Sequence, residues 1–376
     1  MKNPFVYGKE VSGSDFCNRK DEIRELSRDI VNSQNVIIFS QRRFGKTSLI
    51  KEVLKRSSSK GMLTLYVDLY AVLTEEDLVR MYARVVAESL LGKVGKALRQ
   101  TGEFFKRIRP KFTIDEAGKP SYSIDVEKKE ALPLLEDALE AVKRYVDKKK
   151  KKAVVVFDEF QQIGQFKTDR AEKVMRSLIQ RHGNISYIFM GSKKHLIFDM
   201  FNNPDKPFYK SAKPFPLNKI DEDELSEFIQ NKFKATKKCI PETLVKEIVT
   251  ICECHPYYVQ YLCHIMWEKA MDEEEVKYEH YSESLDLLLS RESSTYGATW
   301  NLLTTKQKQV LLALAKAAPD ERLFSAGFLE EHSLGSASSL QRTLHSLIEK
   351  DLVDRERESH SIIDVFFKKW LIRLEQ

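Results

Sequence analysis

Cysteine is scarce in this sequence, and long apolar runs are absent. The 376 residues include five cysteines, and the amino-terminal segment MKNPFVYGKE lacks the apolar core of a secretory signal. We therefore expect reduced thiols rather than a disulfide framework, and a cytoplasmic protein. The longest apolar runs, such as Ala153 to Phe157, have the length of a strand, which excludes a membrane-spanning helix.

Three of the cysteines lie close to histidines along the chain. Cys252, Cys254 and Cys263 alternate with His255 and His264, and these residue types can bind zinc. Their spacing matches none of the common paired-ligand patterns. A zinc site is therefore the less favoured interpretation.

The composition is that of a globular chain with a mild positive charge. Hydrophobic residues make up 42% and charged residues 31%, which argues against disorder and, at this length, favours two or three domains. Much of the net charge of +6 lies in the run from Lys148 to Lys152. We favour a solvated cluster at the start of a strand over a contact with nucleic acid.

Four short apolar segments predict the strands of a parallel sheet. They are Val36–Phe39, Leu63–Leu69, Ala153–Phe157 and Ser186–Met190, and helical patterns separate them. Such alternation predicts an α/β fold, a three-layer αβα core whose functional loops follow the carboxyl ends of the strands.

Additional segments extend this core. The region of about 108–126 alternates apolar and polar residues around a turn at Ala117 to Pro120, which predicts an inserted hairpin. From Asp221, which resembles a helix cap, the pattern is wholly helical, and Pro256 stands at a helix start. We expect a helical lid subdomain in this region.

The last segment, from about Asn301, predicts a winged helix. Three helical stretches precede a strand-like pair, and Ser336 to Lys350 is the recognition-type helix of this arrangement. The predicted domains are therefore a core at 1–218, a helical lid at 219–295 and a winged helix at 296–376.

The segment SQRRFGKTS, from Ser40 to Ser48, lies between the first strand and an amphipathic helix. A bound triphosphate needs many backbone N–H donors that side chains do not obstruct, and a loop leading into a helix N-terminus supplies them. Gly45 allows close approach, Lys46 can reach the β- and γ-phosphates, and the Thr47 hydroxyl can ligate Mg²⁺. The strand and helix on either side favour the phosphate-binding loop of a P-loop NTPase over a chance turn. The loop residues expected to contact the nucleotide are Gln41, Arg42, Arg43, Phe44, Gly45, Lys46, Thr47 and Ser48.

Two carboxylates follow the third predicted strand in VVVFDEF. Asp158 is suited to binding Mg²⁺, and Glu159 is suited to polarising the attacking water. A cap on the next helix is the alternative role of this pair. Ser192, after the fourth strand, could sense the γ-phosphate or could simply form a Gly-Ser turn. The residues predicted to take part in catalysis are thus Glu159, Lys46 and Ser192.

With these residues in place, the chain resembles the archaeal-type ATPase family, in the STAND branch of the AAA-like P-loop ATPases. The resemblance spans nearly the whole length and rests on NPFVYGKEVSGSDFCNRKDE, SQRRFGKTSLI, VVVFDEFQQI, YIFMGS, PFYKSA, HPYYVQYLC and the winged-helix pattern. It implies ATP and Mg²⁺ as ligands, with Phe16, Asn18 and Arg19 near the adenine, Ser192 as the first sensor and Pro256 in a lid over the nucleotide.

The chain departs from this family pattern at three places. Ser40 replaces the first loop glycine, and Cys254 stands where relatives tend to have glycine. In PFYKSA, Ser211 stands where relatives often have an arginine, and Lys210 and Lys213 are weak substitutes for an arginine finger. Because such an arginine can contribute several powers of ten to turnover, we expect ATP binding to persist and hydrolysis to be slow.

Three functions are compatible with this sequence. We favour a slow, switch-like ATPase in which nucleotide state moves the lid and winged helix against the core, with a protein as partner. The alternative is a DNA-associated ATPase, but Arg342 is the only arginine of Ser336 to Lys350, and Lys350 is balanced by Glu349. A nucleotide-binding scaffold that does not hydrolyse ATP is the third, and the oligomeric state is not indicated.

Overall fold

Two separate hydrophobic cores organise the chain in the computed structural model, which describes residues 2–11, 13–17, 19–91, 104–114, 120–318, 321–356 and 359–375. One core lies in residues 19–42 and 46–218, called here the core unit. The other lies in residues 1–18, 43–45 and 219–376, called here the helical unit.

The core unit contains the expected parallel sheet. Its strand order is β2-β5-β6-β1-β7, and every neighbouring pair is parallel. A separate antiparallel pair, β3-β4, confirms the predicted hairpin, whose turn at residues 117–119 lies outside the described residues. The strands are β1 (Val36–Phe39), β2 (Leu63–Asp68), β3 (Lys111–Ile114), β4 (Pro120–Ser123), β5 (Ala153–Asp158), β6 (Ile185–Gly191) and β7 (Lys213–Pro216).

Helices cover the sheet, and every residue of β5 and β6 is buried. Continuous burial on both faces is why these strands are apolar throughout rather than alternating. The helices of the core unit are α1 (Lys20–Val31), α2 (Lys46–Ser59), α3 (Glu75–Leu91), α4 (Ala131–Lys149), α5 (Arg170–Ile179) and α6 (Lys194–Asn202), with short 3₁₀ turns at Lys128–Glu130 and Phe160–Gln165.

Strand β7 has no counterpart in the sequence-based strand predictions. It pairs with β1 at the sheet edge and has the sequence KPFP. Pro214 and Pro216 each lack a backbone N–H, and proline is tolerated in sheets chiefly at such edges. The strand was missed because its sequence has neither an apolar run nor a regular alternation.

Two helices of the helical unit begin where the sequence predicts, at Asp221 and at Pro256. Asp221 accepts hydrogen bonds from the backbone N–H groups of Asp223 and Glu224, at 2.9 and 3.3 Å, and Pro256 is the first residue of its helix. The helices are α7 (Glu222–Ala235), α8 (Glu242–Ile251), α9 (Pro256–Lys269), α10 (Tyr278–Asn301), α11 (Thr305–Lys316), α12 (Ala326–Glu331), α13 (Ala337–Glu349) and α14 (Val365–Leu374).

The carboxyl-terminal region has the predicted helices α11, α12 and α13, followed by an antiparallel pair of strands, β8 (Val353–Glu356) and β9 (Ser359–Ile362). Helix α14, which the sequence patterns did not indicate, follows this pair. It begins at Asp364, whose carboxylate accepts hydrogen bonds from the N–H groups of Phe366 and Phe367, each at 3.0 Å.

The predicted domain limits differ from the two units in two respects. The limit between residues 295 and 296 falls inside the continuous helix α10. The amino-terminal segment packs within the helical unit rather than with the core: the Phe5 and Phe233 ring centroids are 4.8 Å apart, and the Val6 N–H donates to Gln260 Oε1 at 3.1 Å. The division into three domains at 1–218, 219–295 and 296–376 stays a prediction.

No helix in the described part of the chain combines the length and hydrophobicity that a membrane span requires.

Glu172, on α5, is a buried acid that yields a stability prediction. It is 3% exposed, and its Oε2 atom has no hydrogen-bond partner among the described residues. Burial raises the pKa of Glu172 to about 6, although the nearby Lys206 charge opposes the shift. Burial therefore favours the neutral form of this acid. The contribution of neutral Glu172 to the folding stability is complete below its ordinary pKa and is lost as pH rises through about 6.

We expect Glu172→Gln to raise the free energy of unfolding by about 1 kcal/mol at pH 8, with a smaller gain at pH 5, in denaturant titrations. The exposed Glu136, on α4, provides the matched control. Glu136→Gln should change stability little at either pH. An equal gain from Glu172→Gln at both pH values would contradict the prediction.

Candidate functional site

The candidate site of the core unit lies where three adjacent strands end. Strand β1 leads into the loop at Ser40, β5 ends at Asp158, and β6 ends at Gly191, directly before Ser192. Because β5, β6 and β1 are parallel neighbours, their carboxyl ends share one edge of the sheet. The topology thus gathers the predicted loop, acids and sensor position.

Lys46 is a buried cation at the start of α2. Its Nζ donates to the Ser40 carbonyl oxygen and Oγ, each at 3.1 Å, and to the Gln41 carbonyl oxygen at 2.8 Å. Burial lowers the pKa of Lys46 to about 8, against the attraction of Asp158 and Glu159. These hydrogen-bond acceptors are all neutral oxygens, so an anion at this place would stabilise the ammonium.

Asp158 is held by three donors around its carboxylate. Tyr66, on β2, donates its hydroxyl to Oδ2, and the Thr47 hydroxyl lies 3.5 Å from the same oxygen. The Glu159 N–H donates to Oδ1 at 2.9 Å. Burial is the main cause that raises the pKa of Asp158, and the Glu159 charge adds to it. A cation beside this carboxylate would offset that cost.

The oxygens of Thr47 and Asp158 fit a magnesium ion bound mainly by phosphates and water. No group of three or more His, Cys, Asp or Glu side chains with the geometry of a metal cage exists among the described residues. Mg²⁺ commonly takes only one or two protein ligands and completes its shell with water and substrate phosphates. The donor set therefore suits Mg²⁺ accompanying a nucleotide better than a resident metal centre.

Glu159 and Ser192, both predicted from the sequence, are in direct contact. Glu159 Oε2 accepts a hydrogen bond from Ser192 Oγ at 2.9 Å and from the Ser192 N–H at 3.3 Å. The backbone of Glu159 has φ 53°, a left-handed conformation that is uncommon for a side chain of this kind and costs of order 1 kcal/mol or more. Tertiary contacts therefore fix this carboxylate in place.

Gln161 and Tyr66 complete the site and were missed from the sequence. Gln161, two residues after Glu159 and only 2% exposed, donates from Nε2 to Glu159 Oε2. Its Oε1 faces Gly191, where an added Cβ would lie 2.1 Å from that oxygen. A glutamine two residues after Glu159, and a tyrosine two residues before Asp68 on a strand, were the available signals.

The central loop residues make their contacts within the helical unit. The Arg43 guanidinium lies 4.3 Å from the ring centroid of Tyr257 and 3.9 Å from an oxygen of Asp364. The Phe44 ring packs edge-on against His255, with centroids 4.5 Å apart. Gly45 has φ 84°, a conformation that favours glycine. The side chains of Arg43 and Phe44 thus contact α9, the residue before it, and Asp364 at the start of α14.

All of the predicted nucleotide contacts stay predictions. Arg19 is buried and pairs with Glu22 at 2.7 Å, Phe16 is half-buried in the helical unit, and Pro256 starts α9. Asn18 lies outside the described residues. Of the other loop residues, Ser48 is buried in α2, Gln41 is half-buried and Arg42 is exposed.

The residues considered in place of an arginine finger already make contacts of their own. The Lys213 ammonium donates to Glu25 at 2.7 Å and to Asp29 at 2.8 Å, and these hydrogen bonds, that to Asp29 foremost, raise the pKa of Lys213. The Ser211 hydroxyl donates to the Phe208 carbonyl at 2.7 Å. The Lys210 ammonium lies 5.2 Å from the Tyr209 ring centroid.

The cysteine and histidine cluster does not assemble as a metal site among the described residues. Cys252 and Cys263 are buried, and burial raises the pKa of both thiols. His264 Nδ1 lies 2.7 Å from the Phe5 carbonyl oxygen, and His255 accepts the Tyr257 N–H at 3.3 Å. These side chains serve packing and hydrogen bonding.

Comparison with known families gave two matches along the chain. A model of an ATPase domain predominantly from Archaea matches residues 16–262, and a winged helix domain model matches residues 294–373. A search of curated proteins gave no significant match.

Solved structures share the fold at low sequence identity. The Walker-type ATPase PABY2304 of Pyrococcus abyssi is 17% identical, over 98% of this chain and 99% of that chain, with a TM-score of 0.66. The ORC2 protein of Aeropyrum pernix, in its ADPNP-ADP complexes, is 15% identical over 96% and 95%, with a TM-score of 0.55. The likeness confirms the expected α/β P-loop core.

The contact between Gln161 and Gly191 predicts an unusually sensitive glycine. We expect Gly191→Ala to destabilise the protein by about 1–3 kcal/mol, because the new Cβ displaces the buried Gln161 amide. In a Gln161→Ala background the same change should cost less, as a double-mutant cycle in denaturant would measure. Gly183→Ala is the control, since a Cβ at Gly183 would meet nothing within 4 Å. Equal costs for Gly191→Ala in both backgrounds would refute the proposed contact.

Proposed function

This chain belongs to the family of ATPase domains found predominantly in Archaea, and from that premise we propose that it is a slow, switch-like ATPase. As a P-loop ATPase it binds nucleotide, and a winged helix follows its ATPase region. The proposal concerns what this activity is for: the nucleotide state controls the helical unit, and that unit acts on a protein partner.

In the proposed site, Lys46 binds the β- and γ-phosphates of ATP. Its ammonium exchanges the carbonyl oxygens of Ser40 and Gln41 for phosphate oxygens, which restores the charged form that burial disfavours. Thr47 and Asp158 would hold Mg²⁺, and Tyr66 orients the Asp158 carboxylate. The metal, when bound, neutralises charge that develops on the phosphates.

Glu159 orients and deprotonates the attacking water. Its Oε2 is occupied by hydrogen bonds from Ser192 and Gln161, which leaves Oε1 to face the water. Ser192 thereby senses the γ-phosphate indirectly, since a shift at Ser192 moves the base. We assign Gln161 the same positioning role.

We infer slow turnover because Ser211 stands where relatives often have an arginine finger. Lys213 is neutralised by Glu25 and Asp29, and Ser211 has no charge to offer. An arginine finger can contribute several powers of ten to the rate, so its replacement by serine favours a slow enzyme. A long-lived ATP state is what a switch requires.

The contacts of Arg43 and Phe44 are the observation that supports the coupling. These loop residues lie a few positions before Lys46. Arg43 contacts Tyr257 and Asp364, and Phe44 contacts His255. A nucleotide that rearranges the loop backbone must therefore strain or release these contacts. We favour a protein partner for the winged helix because α13 carries Arg342 as its only arginine.

The role of Glu159 is tested by hydrolysis and binding measured separately. We expect Glu159→Gln to bind ATP as the wild type does, while phosphate release falls by about two orders of magnitude or more. Lys46→Ala should lose affinity for ATP as well as phosphate release. Undiminished turnover in Glu159→Gln would remove this residue from catalysis, and equal background release in wild type and Lys46→Ala would leave a nucleotide-binding scaffold.

The coupling is tested with Arg43 and an exposed arginine outside the loop. In wild type we expect ATP to alter amide hydrogen exchange in α9 and in the first turn of α14. Arg43→Ala should reduce that response by about half or more, because the guanidinium contacts are lost. Arg322→Ala, which removes the same charge from an exposed position of the helical unit, should preserve the response. An intact response in Arg43→Ala would contradict the switch.

A further inference from the structure

Helices α1 and α2 of the core unit form a groove of about 800 Å³ that carries positive charge along its length. Its walls include three cations of α1, Lys20, Arg24 and Arg28, and two from the end of α2, Arg56 and Lys60. All five residues are exposed, and none of the described residues that line the groove is acidic. None of the lining residues belongs to the predicted nucleotide site.

The acids near the groove neutralise only part of this charge. Arg24 pairs with Asp21 at 3.0 Å, and Arg56 pairs with Glu52 at 2.9 Å. Lys20, Arg28 and Lys60 have no ion pair among the described residues. Such surface pairs are weak and open readily to an external anion.

Apart from Asp21, which pairs with Arg24, the acids of α1 form ion pairs outside the groove. Glu25 and Asp29 bind Lys213, and Glu22 binds Arg19. Most carboxylates of α1 therefore lie on ion pairs outside the groove, whereas Lys20, Arg24 and Arg28 lie along it. The face toward the groove is left with an excess of positive charge.

The groove continues into the lysine run that the sequence singled out. The Lys152 ammonium donates to the carbonyl oxygen of Val31 at 2.5 Å, and Val31 lines the groove. The run from Lys148 to Lys152 thus adjoins it at the start of β5. For a chain whose whole net charge is +6, this surface concentrates much of the excess.

The cations of α1 form a stripe that suits a row of phosphates. Lys20, Arg24 and Arg28 recur every four residues, so they form one stripe with a rise of about 6 Å between neighbours. A duplex carries about one phosphate per 1.7 Å of its axis, counting both strands, and guanidinium groups bind phosphate oxygens with two parallel hydrogen bonds. No aromatic side chain lines the groove, so unpaired bases would find no stacking partner.

We propose that this groove binds the backbone of duplex DNA without regard to base sequence. Phosphates lie along the stripe on α1, and Arg56, Lys60 and Lys152 extend the contact at its far end. The site is separate from the winged helix and from the nucleotide pocket, so it does not depend on the function proposed above. It would hold the ATPase on DNA.

The test uses the full-length chain and fluorescence anisotropy of a labelled duplex of arbitrary sequence, titrated across KCl concentrations. We expect wild type to bind with an affinity that falls steeply with salt, since each neutralised phosphate releases counterions. Arg24→Glu, Arg28→Glu and Lys60→Glu combined should weaken binding by at least about tenfold at low salt. Arg24→Gln with Arg28→Gln should give a smaller loss of the same kind.

The matched control makes the same change in charge elsewhere on the core unit. Lys129, Lys167 and Lys173 are exposed and do not line the groove. Their combined replacement by Glu should leave most of the binding intact. Equal losses in both triple variants would overturn the proposal, because only net charge would then matter. ATP binding and thermal unfolding check that every variant is folded.

Competitors and other nucleic acids distinguish duplex DNA from the alternative ligands of this groove. Absence of wild-type binding at low salt would overturn the proposal, as would binding lost only when Arg342→Glu on α13 is combined with Lys350→Glu directly after it. Displacement by poly-glutamate as effective as by unlabelled duplex would indicate an acidic protein instead. Single-stranded DNA or duplex RNA binding more tightly than duplex DNA would also contradict it.

Discussion

The burial of opposite charges at one edge of a parallel sheet is the constraint on which this site depends. Burial lowers the pKa of Lys46 and raises that of Asp158, so each group is held where its charged form is costly. The hydrogen-bond acceptors of the ammonium are neutral oxygens of Ser40 and Gln41, and Tyr66 and Thr47 hold the carboxylate. A polyphosphate with its metal would relieve both costs together, which ties ligand binding to the electrostatics of the fold.

The topology of the chain supplies that constraint and its connection to the rest of the protein. Strand β1 lies between β6 and β7, and β5 lies on the other side of β6, so the loop and the acids belong to one sheet edge. Residues 43–45 of the loop belong to the helical unit, whereas Lys46 belongs to the core unit. The loop sequence is thus divided between the two units, and the coupling proposed above starts from this division.

The sequence predicted the parts of this fold whose signal is local. Buried strands are apolar runs between helical patterns, and the phosphate loop and the acids follow such runs directly. Strand β7 was not predicted because its sequence KPFP, at the edge of the sheet, shows no strand pattern. Helix α14 was not predicted because its apolar residues directly follow the strands of the wing. Gln161 escaped for a different reason: its partner is set by the left-handed backbone of Glu159 and by the missing side chain at Gly191, neither of which is a local sequence property.

A crystal structure of the chain with Mg²⁺ and a non-hydrolysable ATP analogue tests the central claim most directly. The account predicts that Lys46 Nζ leaves the Ser40 and Gln41 carbonyl oxygens for phosphate oxygens, and that Thr47 and Asp158 meet at the metal. Lys46 still bonded to those carbonyl oxygens, with the nucleotide bound elsewhere or not at all, would contradict it.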